Sequence, residues 1–586
     1  MKRKFKKLFR DLKNWKENKE LLKWVFTIGK DFKKYIFGFL AINMTTMIIS
    51  LVSAIAGRYV VDAATGFRSE LFFRYILIMF ATTVVSIIIS SLSSMFSNFV
   101  NEKFAFGIRA EMFDRVQRSV WDKVTKFHSG DMLARLSGDI ETVATSIISM
   151  LPNIVVTGCQ LVLVLIILLN NDPTLAIIGL IVGPIGLLAS IILRKKYSAY
   201  QKKLRESQSE YYSFLQESFV NIGVIKTFQL ENKNNQIFQS FRNKRMRIVI
   251  KASVIGNAMS SLMRLVYSIG YVVTFSWCAY RLTTATTYTD PSGAEIATYT
   301  YGMMTLFLSL VSQLQNSIKS LGHIVPQFYS LIVSAKRIRE ITNLEQEVYD
   351  KIDTIPVKAG LKVKNVCFSY DAKDRTILKD MSFEIPPDSR VGIVGTSGAG
   401  KTTFVRLLLA LIKPDNGTLE YIDENGKPEP ISPTSRRFIS YVPQGNTLLS
   451  GTVRSNLQAG YPDASDEEMW NILEIADAAD FLRKTPNGLD TVLAESAIGL
   501  SEGQAQRISI ARALLRKAPV LILDEATSAL DEKTEAKIFE QISSKKGCTC
   551  FIITHRRSML KYCDLVLEIN DDGYVTLTKN TDGKMI

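Results

Sequence analysis

Two hydrophobic patterns divide the chain. Up to about residue 330, apolar stretches long enough to cross a membrane alternate with charged segments; past residue 340, short apolar runs alternate with polar ones, as in a soluble α/β domain. Tyr35–Gly57 carries no charge in 23 residues and Tyr75–Val100 none in 26. Each exceeds the ~20 residues needed to span the hydrocarbon core. Further spans are read at Pro152–Leu169, Thr174–Leu193, Leu262–Tyr280 and Met303–Val325, six in all. Asn170-Asn171-Asp172-Pro173 leaves room only for a tight hairpin, and Thr283–Gly302 reads as a Thr-rich polar loop. Long charged segments follow the second span (101–141) and the fourth (194–251), each a helix out, a turn and a helix back. Ser129-Gly130-Asp131 and Asn221-Ile222-Gly223 are expected to mark the two turns. Arg194-Lys195-Lys196, Lys202, Lys203 and Arg205, with a basic leader, place the long segments and both termini in the cytoplasm.

Charge sharpens the picture of the leader. Over 586 residues, 72 Lys and Arg stand against 56 Asp and Glu, a net charge of +16. Residues 1–34 alone hold 13 basic and 4 acidic residues, more than half of that excess. Phe5, Leu8, Leu12, Trp15, Leu22, Val25 and Phe26 recur there at roughly helical spacing. The expectation is an amphipathic helix along anionic membrane lipid, with Trp15 and Trp24 as interfacial anchors and no nucleic-acid partner. The leader has no continuous apolar core, so it does not read as a cleavable signal. Six cysteines without a CxxC pair, and only three histidines, speak against a disulfide framework or a zinc site. Cys159 and Cys278 in the spans, Cys548 and Cys550 on one strand face, and the solitary His128 and His323 read as packing or interfacial residues.

The chemistry begins after a polar stretch at 341–360, which contains Pro356 and reads as a linker. Arg390–Gly395 is an apolar strand running into Gly395-Thr396-Ser397-Gly398-Ala399-Gly400-Lys401-Thr402, with a helix expected over Thr403–Ile412. This GxxxxGK[ST] pattern stands in the strand–loop–helix setting that phosphate binding requires. Gly395, Gly398 and Gly400 let backbone N–H groups curl around a β-phosphate, Lys401 adds a point charge, and Thr402 offers a hydroxyl to Mg²⁺. A second signal lies 123 residues beyond Lys401, where the strand Val520–Leu523 ends in Asp524-Glu525. One carboxylate at such a position can hold Mg²⁺ through water, and the next can orient an attacking water.

Leu500-Ser501-Glu502-Gly503-Gln504 resembles the signature peptide of ATP-binding cassette (ABC) proteins. The resemblance implies that Tyr370 stacks on adenine and that Gln444, in Tyr441-Val442-Pro443-Gln444, links Mg²⁺ to the membrane domain. It implies that Ser528-Ala529-Leu530-Asp531 is a dimer-contact loop and that His555 touches the γ-phosphate. Thr396, Ser397, Ala399, Thr403, Ser501, Gly503, Gln504 and Asp531 join the glycines, Lys401 and Thr402 as implied nucleotide contacts. Glu525, His555 and Gln444 are the implied catalytic residues, and Thr402, Gln444 and Asp524 the implied Mg²⁺ ligands. Six ordered motifs over Tyr370–His555 carry this match.

Upstream, six spans and two cytoplasmic hairpins resemble an ABC exporter half-transporter. Ser129–Arg135 with Asp139, and Gly223–Phe228, resemble its two coupling regions. The implied fold is a polytopic α-helical membrane domain of six spans plus an α/β P-loop NTPase domain. Its parts are an elbow at 1–34, the membrane domain at 35–340, a linker at 341–360 and the nucleotide-binding domain at 361–586. Departures are Glu502 in place of the usual glycine, and Ala494 and Ser496-Ala497 around Glu495 where glycines are common. Only 31 residues follow His555, so shortened C-terminal helices are expected, and 34 residues before the first span are too few for a peptidase.

The resemblance implies ATP- and Mg²⁺-dependent export of an amphipathic peptide, drug-like or lipid-like substrate across the cytoplasmic membrane. A lipid flippase, or an ATP-gated channel or regulator with little turnover, is the alternative; Glu525 and His555 together favour a hydrolytic cycle. In the family the signature serine faces ATP held by the other subunit, so a dimer is expected. A homodimer is preferred over pairing with a different half because every catalytic element is present. Along the sixth span Ser309, Ser312, Gln313, Asn316, Lys319, Ser320 and His323 fall on one helical face, with Leu310, Leu314, Ile318, Leu321 and Val325 opposite. Lys319 and Arg264 lie at similar depth, ~24 Å from the outer side. No Asp or Glu occurs in the six spans as drawn. The stripe is expected to line a cavity for neutral or anionic amphiphiles, against the alternative that both cations snorkel to headgroups.

Overall fold

The computed structural model describes residues 15–289, 295–350, 355–370, 376–445, 447–493, 500–544 and 547–580. The chain divides into two compact units: Met1–Asp114 with Ser129–Asn343, and Arg115–His128 with Leu344–Ile586.

The first unit is helical: α1 (Trp15–Ile28), α2 (Lys33–Thr65) and α3 (Ser69–Arg118) come first. After the short α4 (Trp121–Val124) follow α5 (Ser129–Asn171), α6 (Pro173–Val220), α7 (Ile222–Thr227), α8 (Glu231–Thr283) and α9 (Tyr301–Thr342). At 1.5 Å per residue the 50 residues of α3 reach about 75 Å. That is far more than the ~30 Å hydrocarbon core, so the helix continues well beyond its apolar part. Among the described residues four helices are long and apolar enough to cross a membrane: Asn18–Thr65, Ser69–Arg118, Ser129–Asn171 and Glu231–Thr283. The apolar stretches read as fourth and sixth spans lie in α6 and α9.

Small residues let these helices approach. Gly179 and Gly183 on α6 stand opposite Leu314 and Ile318 on α9, where a Cβ would lie 2.6 Å from each partner side chain. Two glycines four apart therefore make the groove for a ridge of two residues four apart. Gly270 on α8 fits against Val182 in the same way. At the far end of α9 buried Arg135 donates to Asp131 at 2.8 Å and Glu340 at 2.7 Å. Arg337 pairs with Asp139 at 2.9 Å, and Ser334 donates to Asp139 at 2.7 Å. The start of α5 is thus tied to the end of α9 by an ion network.

Several expectations need correction. The first long hairpin does not turn at Ser129-Gly130-Asp131: α3 ends at Arg118, the chain reverses around α4, and Ser129–Ala134 is already helix. Val120 and Trp121 make a better turn because Val120, extended at φ −54 and ψ 125, breaks the helix before α4 starts. Residues 115–128 also cluster with the second unit, so the boundary at 340 misses this tip. The polar loop at 283–302 contains a hairpin of β1 (Thr287–Thr289) and β2 (Glu295–Ala297). β-branched threonines at alternate positions carry that signal, which was read only as polarity. In α1, Leu21 and Val25 are 2 % exposed and Phe26 is 55 % exposed. Residues 1–14 and the side chains of Trp15, Arg194, Lys195 and His323 lie outside the described residues.

The second unit holds a six-stranded sheet and a four-stranded antiparallel sheet. β3 (Ala359–Phe368), β4 (Leu378–Ile385), β6 (Asn416–Asp423) and β7 (Pro428–Pro430) pair as 4-3-6-7. The larger sheet runs 14-13-5-12-11-8. Its members are β5 (Arg390–Gly395), β8 (Ile439–Val442), β11 (Val520–Asp524), β12 (Thr549–Ile553), β13 (Leu565–Ile569) and β14 (Val575–Lys579). β5, β12, β11 and β8 are mutually parallel. β11 and β12 are buried along their whole length, as parallel strands covered on both faces must be.

Gly302, at the start of α9, donates its N–H to Asp62 of α2 at 2.8 Å. An added Cβ would press on the Arg58 carbonyl and lie 2.5 Å from Asp62 Oδ1. Gly302→Ala should therefore destabilise the first unit by about 1–3 kcal/mol. Gly158→Ala, where a Cβ meets nothing within 4 Å, should not. Thermal melts of the two purified variants check this, and equal melting would refute the contact.

Candidate nucleotide-binding and hydrolysis site

Parallel pairing brings four strand ends together. The chain leaves β5 into the phosphate loop, β12 towards His555, β11 into Glu525 and β8 towards Gln444. Ligand sites of α/β sheets form at these carboxyl ends. The three side chains meet at Glu525: Gln444 Nε2 donates to Oε2 at 2.6 Å, and His555 Nε2 lies 2.8 Å from Oε1. Glu525 has a left-handed φ of +49 and its N–H donates to the Ile553 carbonyl on the neighbouring strand. A strained backbone at a strand end, held by a cross-strand bond, fixes where the carboxylate points.

The phosphate loop has the shape a nucleotide requires. Gly395, Gly398 and Gly400 have φ of +157, +85 and +111. At Gly395 a Cβ would sit 2.5 Å from the Ile569 carbonyl, whereas at Gly398 it meets nothing within 4 Å. The first glycine answers close packing. The second leaves an open cradle that a side chain would fill. Lys401 folds back onto the loop, donating to the carbonyls of Gly395 at 2.7 Å and Thr396 at 2.9 Å. Its ammonium therefore sits at the mouth of the cradle. α10 (Lys401–Leu408) starts here, shorter than the helix expected to Ile412. Thr402 and Ser397 are exposed beside the loop, Ala399 is buried, and the Thr396 hydroxyl bonds Asp571. Thr403 is buried, and its hydroxyl lies 3.3 Å from that of Tyr370.

Asp524 is 5 % exposed. Burial pushes its carboxyl above the ordinary range, while a 3.3 Å bond from Tyr441 works the other way. A desolvated carboxylate next to a lysine-lined cradle fits a divalent cation brought in by phosphates.

Comparison with known proteins now decides the family. Residues 34–318 match the ABC transporter transmembrane region and residues 378–528 the ABC transporter family. An export ATP-binding/permease protein of Rickettsia typhi is 30 % identical over 509 residues, 85 % of each chain. The chain belongs to the ABC exporters. It is thus an ATP-binding, ATP-hydrolysing half-transporter and a multi-pass membrane protein. An ATP-dependent lipid A-core flippase of Syntrophus aciditrophicus is 26 % identical over 493 residues, 83 % of this chain and 80 % of that one. A solved bacterial Atm1-family ABC exporter with ATP bound has the same fold, with a TM-score of 0.75 at 23 % identity. It covers 93 % of this chain and 95 % of its own.

The signature of this ABC exporter caps a helix. α11 (Val453–Gln458), α12 (Asp466–Ile475) and α13 (Ala479–Arg483) surround α14 (Glu502–Leu515) through a shared apolar core. Ser501 is its N-cap: Gln504 N–H donates to Ser501 Oγ at 3.2 Å and Ser501 N–H to Gln504 Oε1 at 2.9 Å, a capping box. Glu502, the departure from glycine, is exposed in the first turn, where a carboxylate suits the helix dipole. Gly503 packs closely: a Cβ would lie 3.0 Å from the Ala529 carbonyl, which would have to give by a few tenths of an ångström. Asp531 accepts from Thr534 N–H at 3.1 Å, and this hydrogen bonding holds its carboxyl below the usual range. Ala494–Ala497, around Glu495, lie outside the described residues.

Residues that motif reading passed over hold this apparatus. Gln506 is buried, donating to Ser528 Oγ at 3.2 Å and accepting from Ala529 N–H at 3.1 Å, so the signature helix grips the loop at Ser528–Asp531. Arg406 donates to Tyr370 Oη at 2.6 Å and lies 5.0 Å over the Trp121 ring, which joins the aromatic residue to α4. Arg406 stands five residues past Lys401, and nothing in the motif marks it. Glu535, on α15 (Glu532–Ser544), is 1 % exposed and accepts from Thr527 and from Arg556 at 2.6 Å each. Arg556 follows His555, so this pair positions the histidine loop.

Glu535→Ala removes the carboxylate shared by Arg556 and Thr527, and leaves Arg556 with the Leu530 carbonyl but no counter-charge. Breaking a buried ion pair costs about 3–5 kcal/mol. Arg556 is more than a third exposed, so the expected loss falls to about 2 kcal/mol. Thermal unfolding of the full chain, followed with ATPase rate, checks this, and an unchanged melt would show that the loop is anchored elsewhere.

Proposed function

We propose that two copies of this chain form a transporter of twelve spans that hydrolyses Mg-ATP to expel an amphipathic substrate from the cytoplasm. The observation that carries the reading is the Gln444–Glu525–His555 contact at 2.6 and 2.8 Å beside the phosphate loop. Glu525 would orient the attacking water and His555 would touch the γ-phosphate. Tyr370 would stack on adenine, and Gly395–Thr403 would cradle the phosphates. Thr402, Gln444 and Asp524 would hold Mg²⁺. Among the described residues no group of three His, Cys, Asp or Glu is gathered for a metal. A cation that arrives with phosphates and keeps waters needs only one or two carboxylates from the protein.

Ser501, Gly503, Gln504 and Asp531 would complete the site of the opposite subunit. One chain holds one phosphate loop and one signature, and all catalytic side chains are intact, which supports pairing of identical copies. Charge supports both termini and the second unit being cytoplasmic, because Lys and Arg crowd the leader and the segment after the fourth span. Lipid flipping is the second reading, supported by similarity to lipid A-core flippases. An ATP-gated regulator with little turnover has less support, since such a protein has no use for an intact Glu525 and His555.

Glu525→Gln should abolish most hydrolysis, about 10²–10⁴-fold, while ATP still binds, because the amide keeps shape but polarises water poorly. Lys401→Ala should weaken ATP binding itself. Reconstituted ATPase rates with nucleotide titrations check both. Wild-type turnover in the first variant would remove Glu525 from the reaction. Light scattering in detergent should give a dimer, and active monomers would refute the assembly.

A further inference from the structure

We infer that the first unit holds a binding site for the anionic headgroup of an amphiphile between α8 and α9. This rests on the export reading for its physiological use but not for its detection. A cavity of about 320 Å³ lies there, lined by Arg264, Tyr267, Gln315, Ser312, Asn316 and Lys319 among others. Arg264 and Lys319 stand 55 positions apart in the chain, and the packing of α8 on α9 turns both towards one space. None of the described residues lining it is acidic. Arg264 and Lys319 are both exposed to this space; two like charges facing it raise each other's energy, and an anion between them reverses the sign.

The wall carries a second, independent mark. Gln315 is only 7 % exposed, and its Nε2 has no hydrogen-bond partner. The Tyr267 hydroxyl, also in the wall, is buried without a partner. A buried donor left unsatisfied is costly, and these two flank the cations. Two cations, an amide N–H₂ and a phenol O–H give this wall strong donors and no anionic acceptor, which suits phosphate or carboxylate oxygens and disfavours ammonium groups. Gln315 owes its place to Gly270 on α8: a Cβ there would lie 3.0 Å from Gln315 Nε2.

Size separates headgroup from tail. Ligand cavities run from about 300 to 1,000 Å³, so this one takes a headgroup and little more. Leu265, Ile269 and Val272, at helical spacing on α8, are exposed and apolar, and an acyl chain can lie along them. The polar stripe read along the sixth span therefore divides in two. Ser312, Asn316 and Lys319 face this cavity, while Ser320 lines a separate space of about 720 Å³ with residues of α5.

The test uses detergent-purified full-length protein without nucleotide. Binding of lysophosphatidylglycerol, lysophosphatidylcholine of the same chain length, dodecyltrimethylammonium and glycerol phosphate is measured by microscale thermophoresis. Lysophosphatidylglycerol should bind at least tenfold more tightly than the zwitterionic and cationic amphiphiles. Arg264→Gln with Lys319→Gln should erase that preference, Arg264→Lys with Lys319→Arg should keep it, and Gln315→Leu should weaken it about threefold or more. Equal binding of glycerol phosphate would support a headgroup site that serves soluble anions, whereas its failure to bind would support an amphiphile. If the double glutamine variant retains the preference, or the cationic amphiphile binds best, the two cations only snorkel and the proposal is overturned. If binding behaves as expected but reconstituted protein neither hydrolyses ATP nor moves the lipid, the site stands and the export reading falls.

Discussion

Parallel pairing of β5, β12, β11 and β8 fixes where four loops emerge, because parallel neighbours must all end on the same edge of the sheet. Register makes this quantitative: Asp524 stands beside Ile553, and Val442 beside Leu523, so Glu525, Thr554 and Pro443 leave the edge together. From that edge, side chains more than 80 positions apart come within hydrogen-bond distance, as Gln444 and Glu525 do. The chemistry is thus a consequence of strand order. A slip of one residue in β11 would turn each of Asp524 and Glu525 to the face opposite its present one and empty the site.

Such an edge is useful only if the loops beyond it are stiff. Three buried polar groups supply that stiffness here, each by satisfying backbone or side-chain partners that would otherwise be stranded. Gln506 holds Ser528 and Ala529, Glu535 holds Thr527 and Arg556, and Asn456 holds both the N–H and the carbonyl of Leu449. Buried polar groups that are fully paired specify one arrangement and penalise others. The second unit also reaches outside its own segment. Gln346 donates to Ser119 at 2.7 Å, Val120 N–H donates to the Glu345 carbonyl at 2.9 Å, and Arg436 grips Glu347 through both carboxylate oxygens. The turn at 115–128 is therefore an integral part of that unit. Through Trp121 and Arg406, it also reaches the tyrosine beside the phosphate loop.

Much of this was legible in the sequence, for identifiable reasons. The phosphate loop, β11 with its two acids, and the signature are local signals, in which glycine positions or a strand's terminal carboxylates carry the chemistry within a few residues. Their elements appeared with nearly the expected bounds. What was not legible depends on partners distant in sequence. Gln506 and Glu535 look like ordinary helix-surface polar residues until β11 and its loop are laid beside them. The turn at Val120 was hidden because Ser129-Gly130 offers the stronger breaker composition, yet helices tolerate Ser and Gly in a first turn, which is where those two residues lie.

The signature shows how a departure from family pattern can leave the motif's local structure intact. A helix N-terminus attracts anions through its unpaired N–H groups, and a glycine there adds nothing but freedom. Here Ser501 and Gln504 satisfy each other's N–H groups, so the turn is rigid without help from position 502. Position 503 is tight, because an added Cβ would lie 3.0 Å from the Ala529 carbonyl. The two glycine sites of the motif therefore answer to different constraints, one to conformational ease and the other to space. The second is the tighter, and it is the one kept. Glu502 brings a negative charge to a turn whose proposed ligand is also negative. Its exposure lets water screen that repulsion, while the helix dipole favours it in place. The substitution therefore costs the fold of this turn little.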